Sequence, residues 1–239
     1  MKDKPRVLII NASPRKYGSS MQLSVVASKG VIDAGGIPEI ISLYDYKIKP
    51  CIGCVSDGNK YCRFPCVIKD DDFNSLAEKL LNSHGFIIST PVYWYAPSGV
   101  LKNFIDRLTS MEHMIFHNGR SLLEGKVAGF IATGLDSGVM MAISYLAIVM
   151  SSMGVHIIPW SMAYSHLDDV TRDEQALRDS YNVGYIVAKT ARALMNYEYI
   201  GYNPSVNIVE LAELARKYTI AESAEREERI RNLESRLGF

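Results

Sequence analysis

The chain carries no net charge: Lys and Arg number 26, Asp and Glu 26. That balance removes the basic field on which nucleic-acid binding draws. It equally removes the acidic field of a strongly charged electron carrier. Long hydrophobic runs are missing too. The most apolar stretch, around Val139 to Met153, is broken by Ser144, Ser151 and Ser152, and it falls short of the roughly 20 residues that a membrane span needs. The opening MKDKPR is charged and leads directly into a strand pattern, with no signal-peptide signature. The expected setting is cytoplasmic, with neither membrane nor nucleic acid as partner. Two phosphate-binding fingerprints, G-x-x-x-x-G-K-[ST] and G-x-G-x-x-G, do not occur. No internal repeat or low-complexity linker is present, and the 239 residues suit one α/β domain with added elements. Cysteine is scarce: there are four, all between Cys51 and Cys66.

What is present is an alternation of strand and helix patterns. Val7–Ile10 is a buried-strand run, followed by an amphipathic helix from about Met21 to Ala34 with Leu23, Val26 and Val31 inward. Glu39–Leu43 is a short second strand, and residues 44–69 are irregular. Asp70–Asn82 is a helix opened by three aspartates, which suit its positive end. A third strand from Gly85, through Phe86, Ile87 and Ile88, ends at Pro91. Pro97 and Ser98 start the next helix, with Leu101, Phe104, Ile105 and Leu108 at helical spacing. Lys126–Thr133 is a fourth strand, Met140–Met153 an apolar helix, and Val155–Pro159 a fifth strand. Met140, Met141, Met150 and Met153 sit at core spacing and are expected to pack inside.

Five strands with four crossover helices predict a flavodoxin-like α/β fold. This is a three-layer sandwich on a five-stranded parallel sheet of order 2-1-3-4-5, with right-handed crossovers. Past Pro159 the pattern changes: residues 161–171 form a loop, 173–196 a long helix, 197–204 another loop, and 206–238 mostly helix. The expected organisation is a domain over 1–196 and a C-terminal helical extension over 197–239. In that extension Ile230, Leu233 and Leu237 make a narrow apolar seam, and Glu222–Arg226, Glu225–Arg229 and Glu227–Arg231 stand at i,i+4 spacing. Such a helix either lies on its own domain or meets another subunit.

Three loops leave the carboxyl ends of the first, third and fourth strands, the edge where open α/β sheets bind ligands. The first offers Ser13, Arg15, Gly18, Ser19 and Ser20 at the start of a helix. Hydroxyls, a guanidinium and backbone N–H groups at the positive end of a helix dipole make an anion site, with phosphate the natural guest. The same residue types also serve as a serine-rich N-cap with no ligand. The second loop carries Tyr93, Trp94 and Tyr95, which either meet a flat, partly apolar partner or cover the sheet edge. The third is TGLDSG, residues 133–138.

LIINASPRKYGSS resembles the opening of the NADPH-dependent FMN reductases, and STPVYWYAPSGVLKNFIDR resembles that family's second flavin loop. The segment CIGC…CVIKDDD is similar to the iron–sulfur flavoprotein branch. The resemblance covers about Arg6 to Pro159 and implies a flavodoxin-like fold with non-covalent FMN. Carried over by position, Ser13, Arg15, Ser19 and Ser20 would hold the FMN phosphate, with Met21 and Gln22 adding donors. Pro91, Val92, Tyr93 and Trp94 would border the isoalloxazine, and Thr133, Gly134, Leu135 and Asp136 would form the third flavin loop. It further implies NAD(P)H as electron donor, a small-molecule acceptor such as a flavin or quinone, and a homodimer or homotetramer.

The cysteines follow the pattern C-x2-C-x7-C-x3-C at Cys51, Cys54, Cys62 and Cys66. Four thiols on a glycine-containing loop of a cytosolic protein point to metal more than to disulfides. They suit a [4Fe–4S] cluster or zinc; free thiols and a disulfide are the other readings. The seven residues between Cys54 and Cys62 depart from the compact spacing of the iron–sulfur flavoproteins. Two functions follow. One is an NAD(P)H-dependent FMN or quinone reductase. The other is an electron-transfer protein in which FMN and a cluster serve a ferredoxin-like partner. His113 and His117 share i,i+4 spacing but lack a carboxylate companion, and Asp106 and Arg107 are expected to be structural.

Overall fold

The computed structural model describes residues 4–197, 201–203 and 205–238, without the side chains of 220–222 and 224. The expected 197–204 loop and the Glu222–Arg226 pair fall partly outside the described residues. The chain divides into two compact units, Met1–Tyr202 and Asn203–Phe239.

The first unit is organised by strands whose two faces are both buried. In β1 (Arg6–Asn11) Leu8 and Ile10 join one apolar cluster, while Val7 and Ile9 join the other. β3 (Gly85–Tyr93) splits Phe86 and Ile88 from Ile87 in the same way, and β5 (Val127–Thr133) splits Phe130 from Ile131. This two-residue alternation inside a continuous apolar run is what helices on both faces of a parallel sheet require. One layer is α1 (Ser19–Asp33) and α6 (Glu174–Leu194); the other is α2 (Phe73–Leu81), α3 (Gly99–Glu112) and α5 (Val139–Ser152). With β2 (Ile37–Ser42) and β6 (His156–Ser165), the parallel sheet runs β2-β1-β3-β5-β6.

A sixth strand, β4 (Ala96–Pro97), pairs antiparallel with the end of β3. It brings the strand count to six rather than the expected five while leaving the parallel order as expected. β3 does not stop at Pro91: it continues to Tyr93 because Val92 and Tyr93 find partners in Pro97 and Ala96. β6 likewise runs past Pro159 to Ser165, through a stretch read from the sequence as loop. Its register jumps from Ala128↔Ile157 to Phe130↔Met162, so Pro159 and Trp160 lie in a bulge. An edge strand tolerates proline at such a place. α2 begins only at Phe73, because the aspartates before it are used elsewhere: Asp71 and Asp72 accept the N–H groups of Lys49 and Lys47. A short α4 (Ile115–Asn118) follows α3.

The α1 and α6 layer is closed at two glycines. A Cβ at Gly184 would stand 1.9 Å from the carbonyl oxygen of Ala27, and one at Gly30 would stand 2.0 Å from that of Tyr181. Only glycine permits backbones to cross so closely.

In the second unit, α7 (Ile208–Leu237) is capped by Asn207, whose Oδ1 accepts the Glu210 N–H at 3.3 Å. Ile230, Leu233 and Leu237 are exposed along it. Glu225–Arg229 and Glu227–Arg231 are not among the ion pairs of the described residues. No helix of the described residues is long and apolar enough to cross a membrane.

Candidate functional site

The three loops converge at the carboxyl edge of the sheet. Buried hydroxyls and amides fix them there. Asn11, the last residue of β1, accepts the Ser13 N–H at 3.0 Å. The Ser13 hydroxyl in turn accepts the Arg15 N–H at 3.1 Å, which turns the chain back toward α1. The carbonyl of Ser20 accepts the hydroxyls of Ser24 (2.7 Å) and Ser89 (2.8 Å). The Ser20 hydroxyl lies 2.7 Å from that of Thr133. The start of α1 is thereby tied to the ends of β3 and β5. The N-cap of α1 is Gly18, and no side chain caps the helix. The serines of this loop are thus not spent on capping, and the amides that open α1 are left to an anion.

The second loop is a two-residue hairpin turn between β3 and β4. Its central residues, Trp94 and Tyr95, both have positive φ, 50° and 64°. Positive φ at both positions is the signature of a type I′ turn, which favours Asn-Gly. A bulky aromatic held there costs about 1–3 kcal/mol, a strain that collects at functional sites. The turn presents the Trp94 ring at 93% exposure. Replacing Trp94 and Tyr95 by Asn and Gly is therefore expected to raise thermal stability by about 1 kcal/mol or more while weakening flavin binding. A melting curve and a flavin titration on the same variant check both halves.

The loops enclose an open cleft of about 700 Å³, within the range of cofactor sites. Ser13, Arg15, Ser19, Ser20 and Gln22 line one end, Pro91 to Tyr95 one wall, and Thr133 to Ser137 the other. Of the residues assigned to the cofactor by resemblance, Met21 is the exception: it does not line the cleft. Tyr17 and Leu167 to Asp169 do line it and were not singled out from the sequence. The last three follow the unexpected extension of β6; the alternation of large and small side chains from Trp160 to Ser165 was the available signal. Arg15 brings positive charge to the cleft, and Asp136, Asp168 and Asp169 bring negative charge. The hydroxyl and amide of Thr171 hold the Asp169 carboxyl below its usual range.

Comparison with known proteins shows the family. The profile of the NADPH-dependent FMN reductases fits residues 5–168. The chain belongs to that family. Among relatives, an iron–sulfur flavoprotein of Archaeoglobus fulgidus is 32% identical over 158 residues, 66% of this chain and 73% of that protein. YwqN of Bacillus subtilis, named as an NAD(P)H-dependent FMN-containing oxidoreductase, is 28% identical over 177 residues, 72% of this chain and 92% of that one. Among solved structures, RosB superposes with a TM-score of 0.68 at 17% identity, covering 90% of this chain and 87% of that one. An archaeal flavodoxin superposes with a TM-score of 0.52 at 13% identity, covering 78% and 99%. Both show the flavodoxin-like fold.

This member of the FMN reductase family is a flavoprotein oxidoreductase, and its cleft fits FMN. The uncapped start of α1 beside Arg15 suits the phosphate, and the aromatic hairpin suits the ring. FMN, when bound, supplies hydride and single-electron chemistry. The chain's own groups supply binding and orientation.

A second cluster lies against α3. Cys51, Cys54, Cys62 and Cys66 all line one small cavity of about 10 Å³, together with Arg107. No disulfide joins them. Burial, and then the neighbouring thiols of Cys54, Cys51 and Cys66, push the Cys62 thiol up to about 12. Among the described residues, no three His, Cys, Asp or Glu groups have the spacing of a bound metal. The donor chemistry is that of a soft-metal site: four thiols on one cavity, with an N–H donor from Arg107 at 3.2 Å from Cys66 Sγ. His117 belongs to the support of this loop, its Nε2 2.9 Å from the Cys62 carbonyl.

Proposed function

We propose that the protein is an NAD(P)H-dependent FMN-containing reductase that passes electrons to a small planar acceptor such as a flavin or quinone. The carrying observation is the cleft itself. Its anion end, formed by Arg15 and the opening of α1, stands apart from an aromatic wall, Tyr93 to Tyr95, on an exposed and strained turn. That division matches a ligand with a phosphate at one end and a flat ring at the other. The wall stays accessible, which leaves room for a second planar molecule to stack. Purified protein should carry FMN and oxidise NADH or NADPH when menadione or free FMN is supplied. Protein that is folded and flavin-loaded yet inert toward both nucleotides would refute the reductase reading.

A second reading is supported by the shared thiol cavity and by the name of the Archaeoglobus relative: an iron–sulfur flavoprotein that exchanges electrons with a ferredoxin-like partner. Here Cys51, Cys54, Cys62 and Cys66 act together as one metal or [4Fe–4S] site. Serine at any one of them should remove most iron or zinc from anaerobically prepared protein while FMN stays bound. Metal analysis with an absorption spectrum checks this. Near-zero iron and zinc in the unmodified protein, with four titratable thiols, removes the reading.

We also propose a homodimer or homotetramer. Met140 and Met141, expected in the core, are exposed instead, as are Ile148 on α5 and Trp160, Met162 and Tyr164 on the edge strand β6. Six large apolar side chains exposed on two neighbouring elements, α5 and β6, are unusual on a monomer. Light scattering at micromolar concentration should give a multiple of the chain mass; a monomer would exclude the assembly.

A further inference from the structure

Arg107, the last residue of the family-like motif KNFIDR, does more than close a helix. It is 1% exposed, and its guanidinium is paired to an equally buried Asp71 at 2.7 Å. All five of its N–H donors are engaged. Nη1 donates to Asp71 Oδ2 (2.7 Å) and to the Lys49 carbonyl (3.1 Å). Nη2 donates to the Ile68 carbonyl (3.3 Å) and Asp71 Oδ1 (3.4 Å), and Nε donates to Cys66 Sγ (3.2 Å). The guanidinium also lies 4.4 Å from the centre of the Phe73 ring.

The placement of these partners is specific. Lys49 lies two residues before the first cysteine, and Ile68 two residues after the last. One planar group therefore clamps both ends of the cysteine loop. Asp71 balances its charge, so that burial leaves no net cation. A helix-packing role needs the ion pair and the ring; it does not need Nε to face a sulfur. Hydrogen bonds from such outer groups orient ligands and tune a bound metal. Helix α3 also starts two residues after the aromatic hairpin ends, so the clamp joins the thiol cavity to the element that leaves the flavin cleft.

We propose that Arg107 is the positioning residue of the four-thiol site: it closes the loop between Lys49 and Ile68 and gives an N–H to the Cys66 sulfur when that sulfur binds metal. The proposal rests on the reading of the four thiols as one soft-metal site. Lysine cannot replace the fork: it keeps a charge for Asp71 but cannot reach two carbonyls and a sulfur together.

The test uses Co(II) as the probe, added anaerobically to the full chain. Wild type should take up one Co(II) with an intense sulfur-to-metal charge-transfer band. Arg107→Lys, shown to be folded by circular dichroism, should bind Co(II) at least tenfold more weakly and with a displaced band. An unchanged affinity and band in Arg107→Lys overturns the proposal and leaves the thiol site standing. Absence of any charge-transfer band in wild type overturns the thiol site, and the proposal with it. A variant that does not fold is bypassed with 15N-labelled wild type loaded with 113Cd(II). There an arginine Nε–H should show scalar coupling to cadmium across the N–H···S contact, and loaded protein without that coupling refutes the proposal.

Discussion

Replacing Ser13 and Arg15 together by alanine is expected to weaken FMN binding by about 2–4 kcal/mol, or roughly 30- to 700-fold. The two residues contribute differently. Arg15 is exposed at the cleft and brings its charge to the phosphate end, so its loss removes a charged hydrogen bond of about 1.5–3 kcal/mol. Ser13 is buried, and its hydroxyl is occupied within the loop: it accepts the Arg15 N–H and donates to the Arg15 carbonyl. Its loss loosens the turn that aims the amides of α1, for about another 0.5–1.5 kcal/mol. Riboflavin, which lacks the phosphate, separates damage at the phosphate end from collapse of the whole cleft. A variant damaged only at the phosphate end binds riboflavin as wild type does, while collapse of the whole cleft weakens both ligands alike. Fluorescence titration with FMN and riboflavin reads the difference, and an unchanged FMN affinity would place the phosphate elsewhere.

The parallel sheet was legible because each of its central strands is buried on both faces. Runs such as Val7–Ile10 and Phe86–Ile88 cannot be satisfied in any other way. The three loops were legible for a related reason: topology sends the ends of β1, β3 and β5 to one edge, and the residue types there are polar, small or aromatic without periodicity. The hairpin was not legible. Its turn positions hold Trp94 and Tyr95, whereas the sequence signal for such a turn is Asn-Gly. The length of β6 was hidden by Pro159, a residue that ends most strands but here sits in a bulge, and Leu167 to Asp169 were lost from the cleft with it. The role of Arg107 was not legible because its partners are distant in the chain: Cys66 lies 41 residues away and Lys49 lies 58. The methionines of α5 show the limit of spacing as a signal. Met150 is buried at its expected place, yet Met140 and Met141 occupy the outer face of a helix that is apolar on nearly every side. Periodicity cannot choose a face when every face is apolar.

The largest effect on the fold itself is expected at Gly184. An alanine there would place its Cβ 1.9 Å from the Ala27 carbonyl oxygen, 2.7 Å from the carbonyl carbon and 3.1 Å from its Cα. All three atoms belong to the α1 backbone, so no side chain can swing aside. Gly30 faces the Tyr181 carbonyl at 2.0 Å in the same crossing, and the two helices must separate as a unit. Separation would expose the apolar layer of Leu23, Ala27, Val31, Val183, Val187 and Ala188. Overpacking of this kind costs about 3 kcal/mol, which for a domain near 200 residues lowers Tm by about 6–12 °C. The same movement shifts the first turn of α1, whose Ser20 carbonyl and hydroxyl are tied to Ser89 and Thr133 at the cleft. Gly184→Ala should therefore lose FMN affinity as well as stability, although it stands in α6 and does not line the cleft. Alanine at Gly99, a helical glycine whose Cβ would meet nothing within 4 Å, serves as the control and should leave Tm within about 1 °C. Scanning calorimetry on the two variants, followed by FMN titration below the lower Tm, checks both consequences. A Gly184→Ala protein that melts with wild type would mean that α1 and α6 do not cross at their glycines.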